Sequence, residues 1–258
     1  MGGRGSRLLN KHVNNNDNRQ DPIPNIIDDP ESEIHNDMFK KLKEINISTR
    51  ESTDNIDDVV LKRQQDQILN IGTRYRKLLK NICKNQDIQF GVENTKGRVL
   101  GYCQTTVIDG KITQRIVLDR KQLINYDKVT KTVETGVKEK WFAPINLMFK
   151  SRDYLITHEL GHSIENSIIA GRNKTDNNMS FREHCLHEEQ KIFNDVFKIY
   201  KEKYTNGEKD DKIFLSKYSQ TNYGEWFAET FCNMELSSEP LPIAKALREY
   251  LGRYLNED

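Results

Sequence analysis

Two histidines four residues apart, in His158-Glu159-Leu160-Gly161-His162, constrain this chain more than any other feature. On a helix, at about 100° per residue, both imidazoles fall on one face a turn apart, so that face must look into a space rather than into packed side chains. The flanks predict such a helix. Ile156, Leu160, Ile164 and Ile168 recur every fourth residue as an apolar stripe to bury. Ser151 is available as the N-cap, Asp153 puts an acid in the first turn, and Gly171 stands where the helix should stop. Gly161 costs roughly 1 kcal/mol against Ala in a helix interior, and its presence predicts a neighbouring element packed closely behind the histidine pair.

The spacing H-E-x-x-H is the minimal two-ligand zinc site of a metallopeptidase; the bland alternative is a core helix with two incidental histidines. Glu159 falls beside the histidine face, where a carboxylate can hold a metal-bound water without being a ligand. A hydrolytic zinc takes three protein ligands, so a third group must come from elsewhere. Downstream, Glu225 and Glu229 lie four apart on a predicted helix whose other face carries Trp226, Phe227, Thr230 and Phe231. Only one of the two glutamates need bind. Asn222-x-x-Glu225 is also spaced like a capping box, a role that would leave Glu229 as the ligand. His184 and His187 form a second pair at helical spacing with no obvious third ligand, and they read as surface.

Elsewhere the pattern predicts an α+β domain. Residues 1–33 are dominated by Gly, Arg, Asn, Asp and Pro and read as a tail that cannot repay its ordering, leaving 34–258 as one domain. A short helix is expected at Asn36 to Lys43 and a long amphipathic one from Asp54 to about Ile82, whose basic stretch Arg74 to Lys80 reads as a solvated face. Strands are expected at Ile88 to Val92, Val99 to Val107 and Lys111 to Leu118, the last two joined across Asp109-Gly110, so a small antiparallel sheet precedes the metal helix. Residues 124–150 read as a loop, with Trp141-Phe142-Ala143-Pro144 expected to pack on the sheet rather than cover the cleft. Helices are expected at Phe181 to Tyr204, Asn222 to Glu235 and Leu241 to Leu255, with a solvated turn over Glu202 to Lys212.

The charges nearly cancel, 40 basic against 39 acidic, which argues against nucleic acid or an anionic membrane as the main partner. Cys83, Cys103, Cys185 and Cys232 show no C-x-x-C spacing and read as separate reduced thiols, with a disulfide among them left open. No apolar run approaches the roughly 18 residues of a membrane span, and the N-terminus lacks the apolar core of a secretory signal. The expectation is a soluble chain, cytoplasmic where it is made, acting there or after delivery elsewhere. Met1-Gly2-Gly3-Arg4-Gly5-Ser6 fits the loose myristoylation pattern and equally a Gly/Arg linker.

The pairing of H-E-L-G-H with Tyr218, Asn222 and Glu225-Trp226-Phe227-Ala228-Glu229 resembles the catalytic domain of anthrax lethal factor and its relatives. These include the clostridial Pro-Pro endopeptidases and zincin domains attached to phage head proteins and toxins. The resemblance spans about residues 54 to 235, and Tyr223-Gly224 between Asn222 and Glu225 departs from it. It implies a zincin-like fold and bound Zn2+, with His158, His162 and Glu225 as ligands and Glu159 as general base. Tyr218 would place a hydroxyl near the developing oxyanion, and Glu229 would orient a ligand from behind. The activity implied is endopeptidase action on a protein or peptide substrate. Such a substrate would add as a strand to an exposed edge of the sheet, for which Lys111 to Leu118 is the expected partner. The rival readings are a catalytically inactive zinc-binding structural or interaction module of a phage or toxin protein, and a zinc hydrolase acting on a non-peptide bond.

Overall fold

Alternation of apolar and polar residues builds a four-stranded sheet, and helices cover one of its faces. A computed structural model of the chain describes residues 40–42, 47–50, 56–79, 86–96, 99–108, 111–124, 126–172, 179–204 and 213–255. The expectations for residues 1–33, Cys83 and the Asp109-Gly110 turn, and most of those for Glu202 to Lys212, fall outside them. Strands β1 (Ile47–Arg50), β2 (Gln86–Glu93), β3 (Gly101–Ile108) and β4 (Lys111–Asp119) stand in the order β1-β2-β4-β3. β3 and β4 pair antiparallel with Ile108 opposite Lys111, the register a two-residue connection requires. β1–β2 and β2–β4 are parallel, so the sheet is mixed and not the antiparallel sheet expected.

β4 is therefore an interior strand with neighbours on both sides, which corrects the expectation that Lys111 to Leu118 offers a free edge. The physical reason lies in composition. Ile116, Val117 and Leu118 of β4 are fully buried and want the centre, whereas β3 carries Gln104, Thr105 and Thr106 and takes the edge. β1 has the sequence Ile-Ser-Thr-Arg, too short and polar to announce itself. The register puts Ile88, Phe90 and Val92, Gln114, Ile116 and Leu118, and Cys103 and Thr105 on one face, and all of them are buried. On the opposite face Arg115 pairs with Glu93, which also accepts a 2.7 Å hydrogen bond from the Tyr102 hydroxyl.

Residues 40–42 are helical, within the short helix expected there. Helix α1 (Asp58–Arg74) starts under Asp57, whose carboxylate accepts from the Val59 N–H. It buries Val60, Leu61, Ile68 and Ile71; after a single turn residue, Tyr75, residues 76–79 are helical again and bury Leu78 and Leu79, so the expected helix continues as far toward Ile82 as the described residues reach. Arg74, Arg76 and Lys77 are exposed, in keeping with the expected solvated face, and Arg74 also pairs with Glu235. Residues 120–150, most of which read as a loop, form α2 (Arg120–Ile124), α3 (Tyr126–Lys138) and α4 (Leu147–Lys150). In α3, Val129 and Val133 are buried and Val137 partly so, a four-residue spacing hidden among β-branched residues of modest helix propensity.

A 3-10 turn, Ser151–Asp153, leads into α5 (Tyr154–Ala170). Ser151 is thus not the N-cap; its hydroxyl donates to the Leu147 carbonyl. Asp153 holds the cap position, but its carboxylate faces the Arg63 guanidinium in a two-point pair at 2.6 and 3.0 Å, which ties α1 to the start of α5. Every residue from Tyr154 to Ile169 is buried, so α5 is the central helix, packed on β3, β4 and α1. Helix α6 (Phe181–Lys203) opens with a capping box between Ser180 and Glu183. α7 (Tyr223–Leu236) and α8 (Pro242–Gly252) complete the chain. α7 lies directly behind α5: a Cβ on Gly161 would stand 3.0 Å from Ala228 Cα, which is the close approach the glycine predicted. Among the described residues no helix is long and apolar enough to cross a membrane. Cys103, Cys185 and Cys232 are free, buried thiols.

Candidate metal centre

The centre forms where α5 crosses α7. His158 and His162, one turn apart, point toward the first turn of α7, where Asn222 caps the helix by accepting from the Glu225 N–H at 2.8 Å. This is half of a capping box. The Glu225 side chain goes instead to the imidazoles, with Oε2 3.1 Å from His158 Nε2 and 3.4 Å from His162 Nε2. The three residues are 7 %, 2 % and 1 % exposed, and their ligand atoms all lie within 4.8 Å of one another. Two donors on a tetrahedral metal with bonds near 2.0–2.1 Å stand about 3.3 Å apart, and the two distances from Glu225 Oε2 to the imidazoles are of that order. Glu225 Oε1 has no partner among the described residues, leaving a further lone pair for a ligand. The group can hold a metal ion.

Its charges are coupled. Burial favours a protonated Glu225, but the two imidazoles outweigh it and hold the carboxyl well below the usual carboxylate range. For His158, burial opposes the charged ring, and the Cys232 sulfur and the Glu225 and Glu229 carboxylates, as acceptors facing the ring nitrogens, overcome it and raise its basicity. Burial pushes the Cys232 thiol up to about 12, so it stays a neutral donor, directed at the Tyr154 carbonyl.

Glu229 sits one turn further along α7 and is spent elsewhere. Its Oε2 accepts from Ala143 N–H at 2.6 Å and from Ser216 Oγ at 2.7 Å, and its Oε1 accepts from the Tyr154 hydroxyl. Oε1 also stands 3.0 Å from His158 Nδ1, oblique to the ring N–H. With three donors already bound, Glu229 lies behind the His158 ring and outside the His158, His162 and Glu225 group. The segment Trp141–Pro144 supplies one of those donors and packs on α7, not on the sheet as expected; Asn233 donates to the Pro144 carbonyl and Asn146 N–H to that of Leu236. Tyr154, Ala143 and Ser216 were not anticipated. Tyr154 lies one turn before His158 on the same face, the one signal that marks it.

Glu159 is 6 % exposed and reaches to the edge strand: its Oε1 lies 3.2 Å from where a Gly101 Cβ would be. Burial raises its carboxyl above the usual range, partly offset by both histidines. Tyr218, in a 3-10 turn (Tyr218–Gln220), stacks its ring on His158 with centroids 5.7 Å apart. Burial first, and then the Glu225 charge, raise its phenol, which stays protonated through the neutral range. Hydrogen bonds from Lys217 N–H to the Lys140 carbonyl and from Tyr218 N–H to that of Trp141 fix this turn against the α3 end. His184, read as surface, is buried at 2 %, and His187 pairs with Glu188; no third ligand joins them among the described residues. Comparison with family models, with curated proteins and with solved structures gives no match to this chain.

Proposed function

We propose that the chain is a zinc-dependent endopeptidase with a zincin-like catalytic domain similar to that of anthrax lethal factor. The observation that carries the reading is the convergence of His158 Nε2 and His162 Nε2 on Glu225 Oε2, with Glu159 alongside and Tyr218 stacked over His158. Zinc bound there would act as a Lewis acid and bring the pKa of a water near neutrality.

The remaining steps belong to the protein's own groups. Glu159, a carboxyl raised by burial and set between the histidine face and β3, takes the proton of the attacking water and returns it to the departing amine. Tyr218, a neutral phenol, donates to the oxygen that gains charge. β3 replaces β4 as the strand along which a peptide lies, because it stands at the end of the sheet order and passes the Glu159 carboxylate at Gly101. The same resemblance makes delivery by a virion or a toxin secretion route part of the proposal.

The test is cleavage of a random peptide library by the zinc-loaded protein, with and without chelator, alongside Glu159→Gln. The variant is expected to bind zinc with unchanged stoichiometry and to lose about 10²–10⁴-fold in turnover. Undiminished cleavage by Glu159→Gln would sink the mechanism, and tight zinc binding without cleavage of any peptide would favour the inactive module.

A further inference from the structure

The turn that carries Tyr218 has little to hold it in place by itself. Three residues in a 3-10 turn make few backbone bonds of their own, here Gln220 N–H to the Lys217 carbonyl at 3.3 Å and Thr221 N–H to that of Tyr218 at 3.0 Å. Two further ties run to the carbonyls of Lys140 and Trp141, at 2.7 and 3.3 Å, but both of those residues are exposed, and bonds at the surface open most easily. A phenol that must stand at hydrogen-bond distance from a developing charge needs a firmer anchor.

Ser216 and Ser219 supply it from inside. They are 3 % and 0 % exposed, and they bracket Lys217 and Tyr218. Ser216 Oγ accepts from the Ser219 N–H at 2.9 Å, while Ser219 Oγ accepts from the Ser216 N–H at 3.1 Å and donates to the Ser216 carbonyl at 2.7 Å. The pair is reciprocal in the manner of a capping box, with a second serine where a glutamate would stand. What remains of the Ser216 hydroxyl is its proton, and that goes to Glu229 Oε2 at 2.7 Å. Glu229 is fully buried in the middle of α7 and is held there by Ala143 N–H and the Tyr154 hydroxyl as well. Each serine hydroxyl thereby donates once and accepts once.

We propose that Ser216 is the positioning residue of Tyr218: by linking the buried Glu229 carboxylate to the Ser219 N–H, it sets the 3-10 turn that holds the phenol ring over His158. The Tyr218 and His158 ring centroids are 5.7 Å apart, and Glu229 Oε1 stands 3.0 Å from His158 Nδ1. One carboxylate therefore meets both a candidate ligand ring and the turn that bears the oxyanion donor, which keeps the two in a fixed relation. Ser216 is not itself a donor to the reacting atoms, because Glu229 takes its one proton.

The inference rests on the endopeptidase reading in which Tyr218 donates to the oxyanion, and a double-mutant cycle separates the two. A wild type that cleaves no peptide with zinc supplied overturns that reading, and the role given to Ser216 with it. With wild-type cleavage in hand, Ser216→Ala leaves the Ser219 N–H without its acceptor, and kcat is expected to fall about 10–100-fold at unchanged zinc affinity and nearly unchanged KM. Added to Tyr218→Phe, the same change should cost nothing more, since the hydroxyl that Ser216 places is already gone. In metal-free protein the Lys217, Tyr218 and Ser219 amide protons are expected to exchange faster in Ser216→Ala than in the wild type, while those of α7 keep their rates. A serine that only helps the chain fold would speed exchange throughout and lower turnover by the same factor in both backgrounds, which would overturn the assignment. Weaker zinc binding by Ser216→Ala would overturn it too, because the residue would then act through Glu229 on His158. Should Ser216→Ala fail to fold, Ser219→Ala keeps the bond from Ser216 to Glu229 and removes the two bonds of the Ser219 hydroxyl. It is expected to lower kcat less and again to add nothing to Tyr218→Phe; additive losses there would reject the role of the serine pair.

Discussion

Glu225 and Glu229 are the same side chain one turn apart on one helix, and their surroundings separate them. Glu225 keeps an oxygen with no partner and turns the other to two imidazoles, whereas Glu229 accepts from Ala143, Ser216 and Tyr154. Glu225→Ala is therefore expected to abolish zinc binding in equilibrium dialysis, and Glu229→Ala to weaken it about 10–100-fold; the opposite ranking would make Glu229 the ligand. Tyr218→Phe keeps the ring on His158 and removes only the hydroxyl, so zinc affinity should hold while turnover falls about 10²–10³-fold. At this scale His158, Glu159 and His162 were legible, because helical geometry alone places residues i and i+4 together. The choice between the two glutamates was not. It depends on donors from Ala143, Ser216 and Tyr154, which reach Glu229 from three separate segments and follow no shared period.

Between elements, the contact of α5 with α7 sets the distance from imidazoles to carboxylate, and Gly161 sits in it. Alanine there would gain roughly 1 kcal/mol in helix propensity, but its methyl would stand 3.0 Å from Ala228 Cα and 3.3 Å from Phe231 Cβ. Backbone cannot yield as a side-chain tip can, and overpacking of this kind costs about 1–3 kcal/mol, so the clash outweighs the propensity. Gly161→Ala is expected to lower the melting temperature by a few degrees and to weaken zinc as Glu225 is pushed away; a variant that melts higher with unchanged zinc affinity would refute this account of the contact. Helices with long apolar stripes, α5 to α8, could be read from period alone. α3 could not, since its three valines lie among Thr, Lys and Gly, and neither could the insertion of β4 between β2 and β3, because strand order is decided by which strand is most apolar rather than by chain order.

Across the whole molecule, an unusual number of ionisable groups are buried around one point, and this ties folding, protons and metal together. In the metal-free protein burial raises Glu189 to about 7 against an ordinary 4.5, and burial raises Glu165 well above its ordinary value as well. An acid whose folded pKa is raised contributes stability that is present below about 4.5 and lost as pH climbs through the folded value. His158, also raised, contributes stability that is present below its unfolded value of about 6.5 and lost as pH climbs through the folded one. Glu225, depressed, works at the other end: its contribution is present above 4.5 and disappears only in strong acid. Of the charges acting on Glu189, the His162 ring favours ionisation and the Glu225 carboxylate opposes it, and burial outweighs the histidine. Metal-free protein should accordingly lose stability from about pH 5 to 8. Zinc needs neutral imidazoles and an ionised Glu225, so the stability it adds should grow over the same interval. The gap between melting temperatures with saturating zinc and with chelator is therefore expected to widen as pH rises, and Glu189→Gln should flatten the decline of the metal-free curve. A gap that stays constant from pH 5 to 8 would mean that these buried acids and histidines do not share their protons with the ion.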